Sequence, residues 1–535
     1  MAPGDLAHPK WNAAIAGGVW LALLLTILAT APELQTYLES SDMGYQLSLG
    51  QQVLAGKTPG VNLLMFYGPL VAYTSALGLW LGGSLIGEVV ICALGYSLAL
   101  WLMWLIVARH GNRLAATAAA ASGYLLLARF YKWYLWLLPL LVLWELDGYL
   151  RSPAARRGKW PPAIGLTLGI GWLYRFDIAA GLTAAAALMI GLVELRSAPD
   201  DWRRAGRSLA AFDAACTLPL LVWLGVLYWI GGPHAMGDYL SMTWCGAVGV
   251  VRGLSSPLPE FILSSPFHKQ NLILAAYVLG PLTYALCLLR GIRAEIGHRA
   301  TPTSRILLAI ALVGVCISHQ AMHRRDAAHL LQVIPPAILG MVLLGAIWLR
   351  RRDDFGQNAT SARRTRIAGV CYVTVACAVG SGLVTWGRLD LGPASLWPSA
   401  RYRALAAPLA PGHTHPVAAA LREVQRCVPP DQSILVFPAE CQYYAIAQRR
   451  MSGLLNTYFP SLYCDSPWRE RNLDAICRDA PKLVIVPDHF LDPQKPYYEV
   501  WARGIKEHQA VEQWIRRNYT KVVYDHDGIV LLEKP

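Results

Sequence analysis

The sequence has few charged residues for its length, and this scarcity excludes most soluble folds. Asp, Glu, Lys and Arg make up 15% of the 535 residues, whereas hydrophobic residues make up 55% and the mean hydropathy is +0.36. Long apolar stretches recur from Trp11 to about Trp386 and then stop. Such a chain is neither disordered nor fibrous, and it is not a soluble bundle. The composition predicts an integral membrane protein.

The apolar stretches predict the number of spanning helices. A helix that crosses a bilayer needs about 20 mostly apolar residues. Eleven candidates lie near residues 11 to 31, 85 to 108, 113 to 130, 133 to 149, 161 to 174, 177 to 194, 209 to 230, 270 to 289, 304 to 319, 328 to 349 and 367 to 386. The first is predicted to be an anchor and not a cleaved signal peptide, because its apolar region is too long and Pro32 follows at once. We therefore predict a polytopic α-helical membrane domain over residues 1 to 386.

The basic residues predict the orientation of this domain. The stretch from 67 to 83 either crosses the membrane or lies along its outer interface. We expect it to lie along the outer interface, within an outer loop over residues 32 to 84. The loops assigned to the cytoplasm then carry, with Lys10, 21 of the 47 Lys and Arg, and the opposite loops carry 8. This distribution follows the positive-inside rule. It predicts a bacterial inner-membrane protein with a cytoplasmic N-terminus, and it assigns the net charge of +13 to cytoplasmic loops and not to nucleic-acid binding.

The sequence changes character after residue 386. The runs 433 to 437, 482 to 486, 520 to 524 and 528 to 532 have the composition of strands, and a helical stretch lies near 507 to 517. We predict a small α/β domain over residues 387 to 535 on the periplasmic or extracellular side. Four cysteines fall in it, where an extracytoplasmic setting permits disulfides in any of three connectivities. They are Cys427, Cys441, Cys464 and Cys477.

Polar residues beside apolar helices are the candidates for chemistry, because ionisable groups near a bilayer are costly. Four outer segments carry them, at 39 to 69, 129 to 132, 174 to 177 and 319 to 329. A carboxylate opposite several cations suits transfer from a phosphate-linked donor, since a base takes a proton while cations hold the departing phosphate. No carboxylate pair of the Asp-x-Asp kind occurs in these four segments, and no internal repeat is visible.

Several short motifs in these segments resemble a known family. Asp42 is followed three residues later by Tyr45, a Gly-Lys-x-Pro turn spans 56 to 59, Tyr-Gly-Pro begins at Tyr67, and Arg-Arg-Asp-x-x-His spans 324 to 329. This order resembles the membrane glycosyltransferases of the GT-C superfamily, nearest to the aminoarabinose-transferase and protein O-mannosyltransferase type. The chain departs from the mannosyltransferase version because Ser41 and Met43 flank Asp42, which leaves no adjacent acidic pair.

The resemblance implies a GT-C-like catalytic domain, a polyprenyl-phosphate sugar as donor and Asp42 as catalytic base. It predicts inverting transfer to an extracytoplasmic lipid, glycan or protein, without a required cofactor. The residues expected to bind the donor phosphate are Lys132, Arg175, Arg324, Arg325 and His329. Further substrate-binding candidates are Tyr45, Tyr67, Asp177, His323 and Asp326.

Each candidate also has a structural interpretation. Asp42 at the start of a helix is a possible N-cap, and Arg175 and Asp177 are able to pair with each other. The cluster of Arg324, Arg325 and His329 would also bind phospholipid headgroups. Lys132, which lies beside aromatic residues, would also serve as an anchor at the membrane interface. His319 and His323 have the spacing of a helical metal pair but lack further ligands.

Two other functions remain open on the sequence. A polysaccharide ligase or polymerase would use a large late loop, for which residues 231 to 269 with His234, Arg252 and His268 are the candidate. A flippase or transporter of lipid-linked saccharides would place polar residues in mid-membrane and show internal repeats.

Overall fold

The computed structural model describes residues 9 to 127, 129 to 253, 257 to 265, 268 to 350, 391 to 395, 397 to 458, 466 to 492 and 506 to 535, with separate positions between 367 and 384. Helices dominate up to residue 350. They are α1 Pro9–Ala29, α2 Leu34–Glu39, α3 Ser41–Leu54, α4 Pro69–Gly82, α5 Leu85–His110, α6 Arg113–Leu125, α7 Tyr134–Arg151, α8 Trp160–Tyr174, α9 Phe176–Ser197, α10 Trp202–Gly253, α11 Lys269–Ile296, α12 Pro302–Ile317, α13 His319–His323, α14 Ala327–Val333 and α15 Pro335–Arg350. Short 3-10 turns cover Phe130–Lys132 and Ala154–Lys159.

Five of the described helices are long and apolar enough to cross a membrane. They cover Leu85–His110, Phe176–Ser197, Trp202–Trp244, Gln270–Ile296 and Pro302–His323, and the bent pair α14 and α15 makes a sixth if it counts as one span. The chain is therefore an integral membrane protein. The predicted count of eleven stays a prediction, because helices such as α6, with 13 residues, are shorter than a full span.

Within the stretch from 67 to 83, residues Pro69–Gly82 form α4, which has 14 residues and is capped by Gly83 in the left-handed conformation. A helix of this length is shorter than the roughly 20 residues that spanning requires. This length agrees with the expectation that the stretch does not span, although its placement along the outer interface stays a prediction.

Glycines allow some of the membrane helices to pack closely. Gly165 and Gly169 are one turn apart on α8. A Cβ on Gly165 would lie 2.2 Å from the carbonyl oxygen of Phe212, and one on Gly169 would lie 2.4 Å from that of Cys216. Because such a contact leaves no room for a side chain, the backbones of α8 and α10 touch only with glycine at both positions.

The chain divides into two compact units that do not follow the sequence in order. The first unit contains residues 1 to 30, 92 to 221 and 256 to 392. The second contains residues 31 to 91, 222 to 255 and 393 to 535. The predicted boundary lies at residue 387, and the predicted membrane domain includes the outer loop from 32 to 84. In the structure this loop belongs to the same unit as the C-terminal segment.

The C-terminal segment folds around a five-stranded sheet. Its elements are α16 Ser399–Ala406, α17 Pro416–Cys427, β1 Ser433–Val436, α18 Gln442–Ile446, β2 Arg450–Met451, α19 Ser466–Asp479, β3 Leu483–Pro487, α20 Gln509–Asn518, β4 Lys521–His526 and β5 Ile529–Glu533. The strand order is β2-β1-β3-β5-β4, with β2, β1 and β3 parallel and β5 antiparallel to both neighbours. Each of the four predicted strands is present, and β2 was missed because it has only two residues.

Hydrogen bonds tie the outer loop to this sheet within the second unit. The Gln52 side-chain oxygen accepts from the backbone N–H of Met451 at 2.7 Å. The Leu64 N–H donates to the carbonyl of Leu454 at 2.9 Å. Because these bonds fix the backbone on both sides, the loop and the C-terminal strands form one packed body.

Cys427, Cys441 and Cys477 are free cysteines. The fourth cysteine of the C-terminal segment, Cys464, lies outside the described residues. The disulfides that the sequence allowed are thus not formed at any of the three described positions. Cys441 is buried in the contact between α18 and α3, where its thiol serves packing.

Candidate functional site

Asp42 lies in the first turn of α3 with its side chain exposed. The N-cap of this helix is Ser40, whose Oγ accepts the N–H of Met43 at 3.2 Å. Capping is therefore not the role of Asp42, and the structural interpretation of this residue is wrong. The positive end of the helix dipole favours its ionised form.

The two predicted tyrosines of the outer loop are in contact. Tyr45 lies one turn after Asp42 in α3, and Tyr67 lies just before α4. The Tyr45 hydroxyl accepts the N–H of Phe66 at 3.1 Å, and the two rings stack at 4.3 Å between centroids. Tyr67 packs edge-on against Tyr45 at 5.4 Å. Tyr45 is buried and Tyr67 half-buried, so Tyr45 supports the loop and Tyr67 retains an accessible edge.

Buried polar contacts hold α3 and the following turn against the rest of the second unit. Gln46, four residues after Asp42, donates to the Glu88 carboxylate at 3.0 Å. Lys57 of the Gly-Lys-x-Pro turn donates to the carbonyl of Gly453. Burial lowers the pKa of Lys57 to about 8, against the opposing effect of the nearby Asp479 carboxylate. The motif lysine thus anchors the loop in the second unit.

The first unit contains the predicted cations, which form two groups. In one group, Arg175 makes a bidentate pair with Asp177, at 2.9 Å from Nε and 2.7 Å from the second nitrogen. Gln320 also donates to Asp177, and His319 lies 3.9 Å from it. Arg175 is buried, and the Asp177 carboxylate balances its charge. This pairing is the structural alternative that the sequence left open.

The other group centres on Asp326, which caps α14. Its carboxylate accepts the N–H of His329 at 2.8 Å and lies 2.8 Å from the His329 ring nitrogen Nδ1. Arg324 lies 4.0 Å from the same carboxylate. Burial alone would raise the pKa of Asp326, but the hydrogen bonds from His329 and the charge of Arg324 lower it to about 2. Asp326 is thus an anion that orients His329.

Lys132 belongs to this second group. Its side chain is buried, with 6% of its surface exposed, and its charge acts on His329. Lys132 lies 5.3 Å from the Tyr131 ring. A buried ammonium costs free energy unless an anion accompanies it. Lys132 and Arg324 both lie near His329, and the assignment of these three residues to a phosphate site stays a prediction.

Arg325 and His323 have other neighbours. Arg325 donates to the carbonyl of Met322 at 3.1 Å. The His323 ring packs edge-on against that of His319, with centroids 6.4 Å apart. No group of three or more His, Cys, Asp or Glu suited to a metal ion occurs among the described residues. The predictions that Arg325 binds phosphate and that no metal is required stay predictions.

Tyr277 on α11 is a contributor that the sequence analysis missed. Its hydroxyl lies within hydrogen-bond distance of the carbonyls of Ala321, Arg324 and Asp326, at 3.0, 3.4 and 3.3 Å. This hydroxyl closes the turn that carries the cations. No motif marked Tyr277, because it sits in an apolar helix far along the chain.

An apolar cavity of about 700 Å³ adjoins the cationic turn within the first unit. It runs between α6, α11 and α15, from Asn112 to Met322. Tyr277 and Leu330 also line it. Since Met322 and Leu330 flank the turn that carries Arg324 and His329, this end of the cavity lies beside that turn.

Comparison with known proteins shows similarity in fold. Neither a protein-family model nor a curated protein matches the sequence. ArnT from Cupriavidus metallidurans bound to undecaprenyl phosphate is 13% identical, with a TM-score of 0.53 over 98% of this chain and 98% of that chain. Its apo state is 12% identical, with the same TM-score and coverage. The apo Archaeoglobus fulgidus oligosaccharyltransferase is 14% identical and covers 89% of this chain and 70% of that chain, with a TM-score of 0.47.

Sequence identities this low establish a common fold and not a common substrate. The two ArnT matches extend over nearly the full length of both chains, including the C-terminal segment, for which the motifs gave only a general likeness. In fold, the chain resembles the GT-C glycosyltransferases of the aminoarabinose-transferase type, as its motifs predicted.

Proposed function

We propose that this chain is an inverting glycosyltransferase that takes a sugar from a polyprenyl-phosphate carrier. The observation that carries the proposal is the cavity of the first unit, which is apolar along its length and is lined at one end by Met322 and Leu330, on either side of the turn that carries Arg324 and His329. A ligand that fits both parts has a long hydrocarbon chain and an anionic head. A polyprenyl phosphate has both.

In the proposal, these cations bind the phosphate that leaves when the sugar is transferred. Lys132 and Arg324 supply an ammonium and a guanidinium group, and His329 is held in place by Asp326. When the bond between the anomeric carbon and the phosphate oxygen breaks, the electron pair stays on the phosphate. Fixed cations around that oxygen stabilise the developing charge without reorganising. Arg325 and Arg175 are further donors in the proposal, Arg175 through its pair with Asp177.

Asp42 is the proposed base. Its exposed carboxylate takes the proton of an acceptor hydroxyl, and the resulting oxygen attacks the anomeric carbon on the face opposite the phosphate. One C–O bond forms while another breaks, so the configuration inverts. The acceptor is an extracytoplasmic lipid, glycan or protein, and Tyr67 lies on the same loop to contact it. The orientation toward the periplasm belongs to this proposal.

The structure gives little support to the ligase or polymerase alternative. Its candidate loop depends on His268, and the His268 imidazole accepts the N–H of Gln270 at 3.3 Å as the N-cap of α11. Arg252 lies at the end of α10, in a part whose side chains are outside the described set. We therefore retain the monosaccharide transferase as the proposal.

The test of the proposal measures the release of polyprenyl phosphate from the sugar donor. The purified chain in lipid nanodiscs is incubated with a panel of polyprenyl-phosphate monosaccharides and candidate acceptors, and free polyprenyl phosphate is measured by mass spectrometry. The proposal expects acceptor-dependent release from at least one donor, with inverted product. Release only from polyprenyl-linked oligosaccharides would support the ligase, and movement of intact donor across the membrane without release would support a flippase. Either result overturns the proposal.

A further inference from the structure

Tyr277 on α11 belongs to two features of the first unit. It is one of the residues that line the apolar cavity. Its hydroxyl lies 3.0 Å from the carbonyl oxygen of Ala321, and 3.4 and 3.3 Å from those of Arg324 and Asp326. These three carbonyls belong to the cationic turn, which covers residues 321 to 329. One side chain therefore contacts both the cavity and the turn.

The hydroxyl of Tyr277 supplies a donor where the backbone needs one. Ala321 is buried and lies near the end of the short helix α13. Carbonyls at the end of a helix have no partner within that helix, and a buried carbonyl that loses its donor costs free energy. A phenolic hydroxyl donates a single hydrogen, so the three carbonyls share it. The turn is thus curled around this one group.

The turn has few comparable supports from other helices among the described contacts. Asp326 and His329 bond to each other within the turn. Trp136 on α7 donates to the carbonyl of Leu331 at 3.0 Å, which holds the helix that follows the turn. Tyr277 holds the earlier part, including the backbone on either side of residue 325.

The cavity and the turn also share a boundary. Ala321, Met322 and Leu330 line the cavity together with Tyr277. A hydrocarbon chain in the cavity would contact the Tyr277 side chain and restrict its motion, which keeps the hydroxyl among the carbonyls. A segment that one ligand has already ordered loses less conformational entropy when a second group binds. A phosphate that reaches the turn would then find its backbone already held.

We propose that Tyr277 couples filling of the apolar cavity to the conformation of the cationic turn, so that the hydrocarbon chain of the carrier improves binding of its own phosphate. The inference rests on the proposed function and deepens it, because the chain becomes part of what prepares the phosphate site. Tyr277 is a positioning residue, since its hydroxyl acts through the backbone of Arg324 and Asp326.

The first experiment measures hydrogen exchange of the turn in the full chain in nanodiscs. The probe is undecaprenol, which has a hydrocarbon chain and no phosphate. We expect it to slow exchange of amides between 321 and 329 by about 3- to 10-fold in the wild type, and to have no such effect in Tyr277→Phe. Tyr372→Phe is the matched control, because Tyr372 lines the same cavity but its hydroxyl contacts Thr283. This control should respond as the wild type does.

The amount of undecaprenol retained by each variant is measured by mass spectrometry on the same samples. Bound undecaprenol that leaves exchange of the turn unchanged in the wild type overturns the inference alone. Equal slowing in Tyr277→Phe overturns it as well, since the hydroxyl would then not carry the coupling. A wild-type chain that retains no undecaprenol would show that the carrier site of the proposed function is wrong, and the inference with it.

The second experiment separates positioning from a loss of packing. Affinities for undecaprenyl phosphate and for undecaprenol are compared in the wild type and in Tyr277→Phe. We expect the variant to bind undecaprenyl phosphate about 3- to 10-fold more weakly, with little change for undecaprenol. Equal losses for the two lipids would mean that Tyr277 is only a part of the cavity wall, and this result would also overturn the inference.

Discussion

The first turn of α3 meets Gln442 because residue 44 is glycine. A Cβ on Gly44 would lie 2.5 Å from the Cβ of Gln442 and 2.6 Å from its backbone nitrogen. Real side chains do not approach this closely. The contact joins the beginning of the chain to its last quarter, and it places the loop that carries Asp42 against the segment between β1 and β2.

Gly44→Ala should destabilise the second unit. The added methyl group meets backbone as well as side chain, so α3 or α18 must shift, at a cost of about 1 to 3 kcal/mol. Unfolding of the purified chain in detergent would measure the loss. Gly237→Ala is the control, since nothing lies within 4 Å of its new Cβ. Equal stability of the two variants would contradict the close approach.

Asp42→Asn should abolish turnover while the fold is kept. A positioned general base contributes about 100- to 10,000-fold in rate, and the exposed side chain has room for an amide. Transfer rate, donor affinity and unfolding temperature are measured on the same preparation. Glu33→Gln, which removes another exposed acid of the same loop, should transfer normally. Wild-type turnover in Asp42→Asn would eliminate the base assignment.

Lys132→Gln should weaken binding of polyprenyl phosphate. Loss of a hydrogen bond to a charged group costs about 1.5 to 3 kcal/mol, or roughly 10- to 100-fold in affinity. Affinity for the corresponding polyprenol, which lacks the phosphate, should not change. Arg151→Gln provides the control, as it removes an exposed cation at the end of α7. If Lys132 is only an interfacial anchor, both lipids will bind the variant as they bind the wild type.

Lys57 should make stability depend on pH. Its pKa in the folded chain is about 8, below the ordinary value of 10.5. Between these values the unfolded chain binds a proton that the folded chain does not, so the free energy of unfolding rises as the pH increases from about 8 to 10.5. The expected rise is on the order of 1 to 3 kcal/mol.

Lys57→Met supplies the comparison for that rise. Tyrosines and cysteines also titrate in this range, so the difference between the two pH profiles carries the result. The variant should gain less stability over the same interval, as measured by denaturant unfolding at each pH. Parallel profiles would show that Lys57 has an ordinary pKa.

Labelling should reveal the orientation of the chain. The predicted topology puts residue 412 outside and residue 158 in a cytoplasmic loop. A membrane-impermeant thiol reagent applied to intact cells should therefore modify Gly412→Cys and not Gly158→Cys, beyond the labelling of the parent chain. The reverse pattern would mean that residues 67 to 83 cross the membrane.

The amino-acid sequence by itself determined the class of the protein and much of its local structure. Apolar runs with few charges permit only membrane helices, and these runs stop before the C-terminal sheet begins. The strands β1, β3, β4 and β5 were predictable because each is a continuous run with strand composition. The motifs also selected Asp42, Asp326 and His329 and indicated the GT-C fold, since short motifs record local chemistry.

Tertiary structure decided which of these residues meet. Whether Asp42 caps its helix depended on the backbone geometry of Ser40, and whether Arg175 is paired depended on the rotamer that joins it to Asp177. Tyr277 lies in no motif, and it reaches the carbonyl of Ala321 only through chain folding over a long sequence distance. Contacts of this kind depend on close packing between elements remote in sequence, for which local patterns of hydrophobicity contain no information.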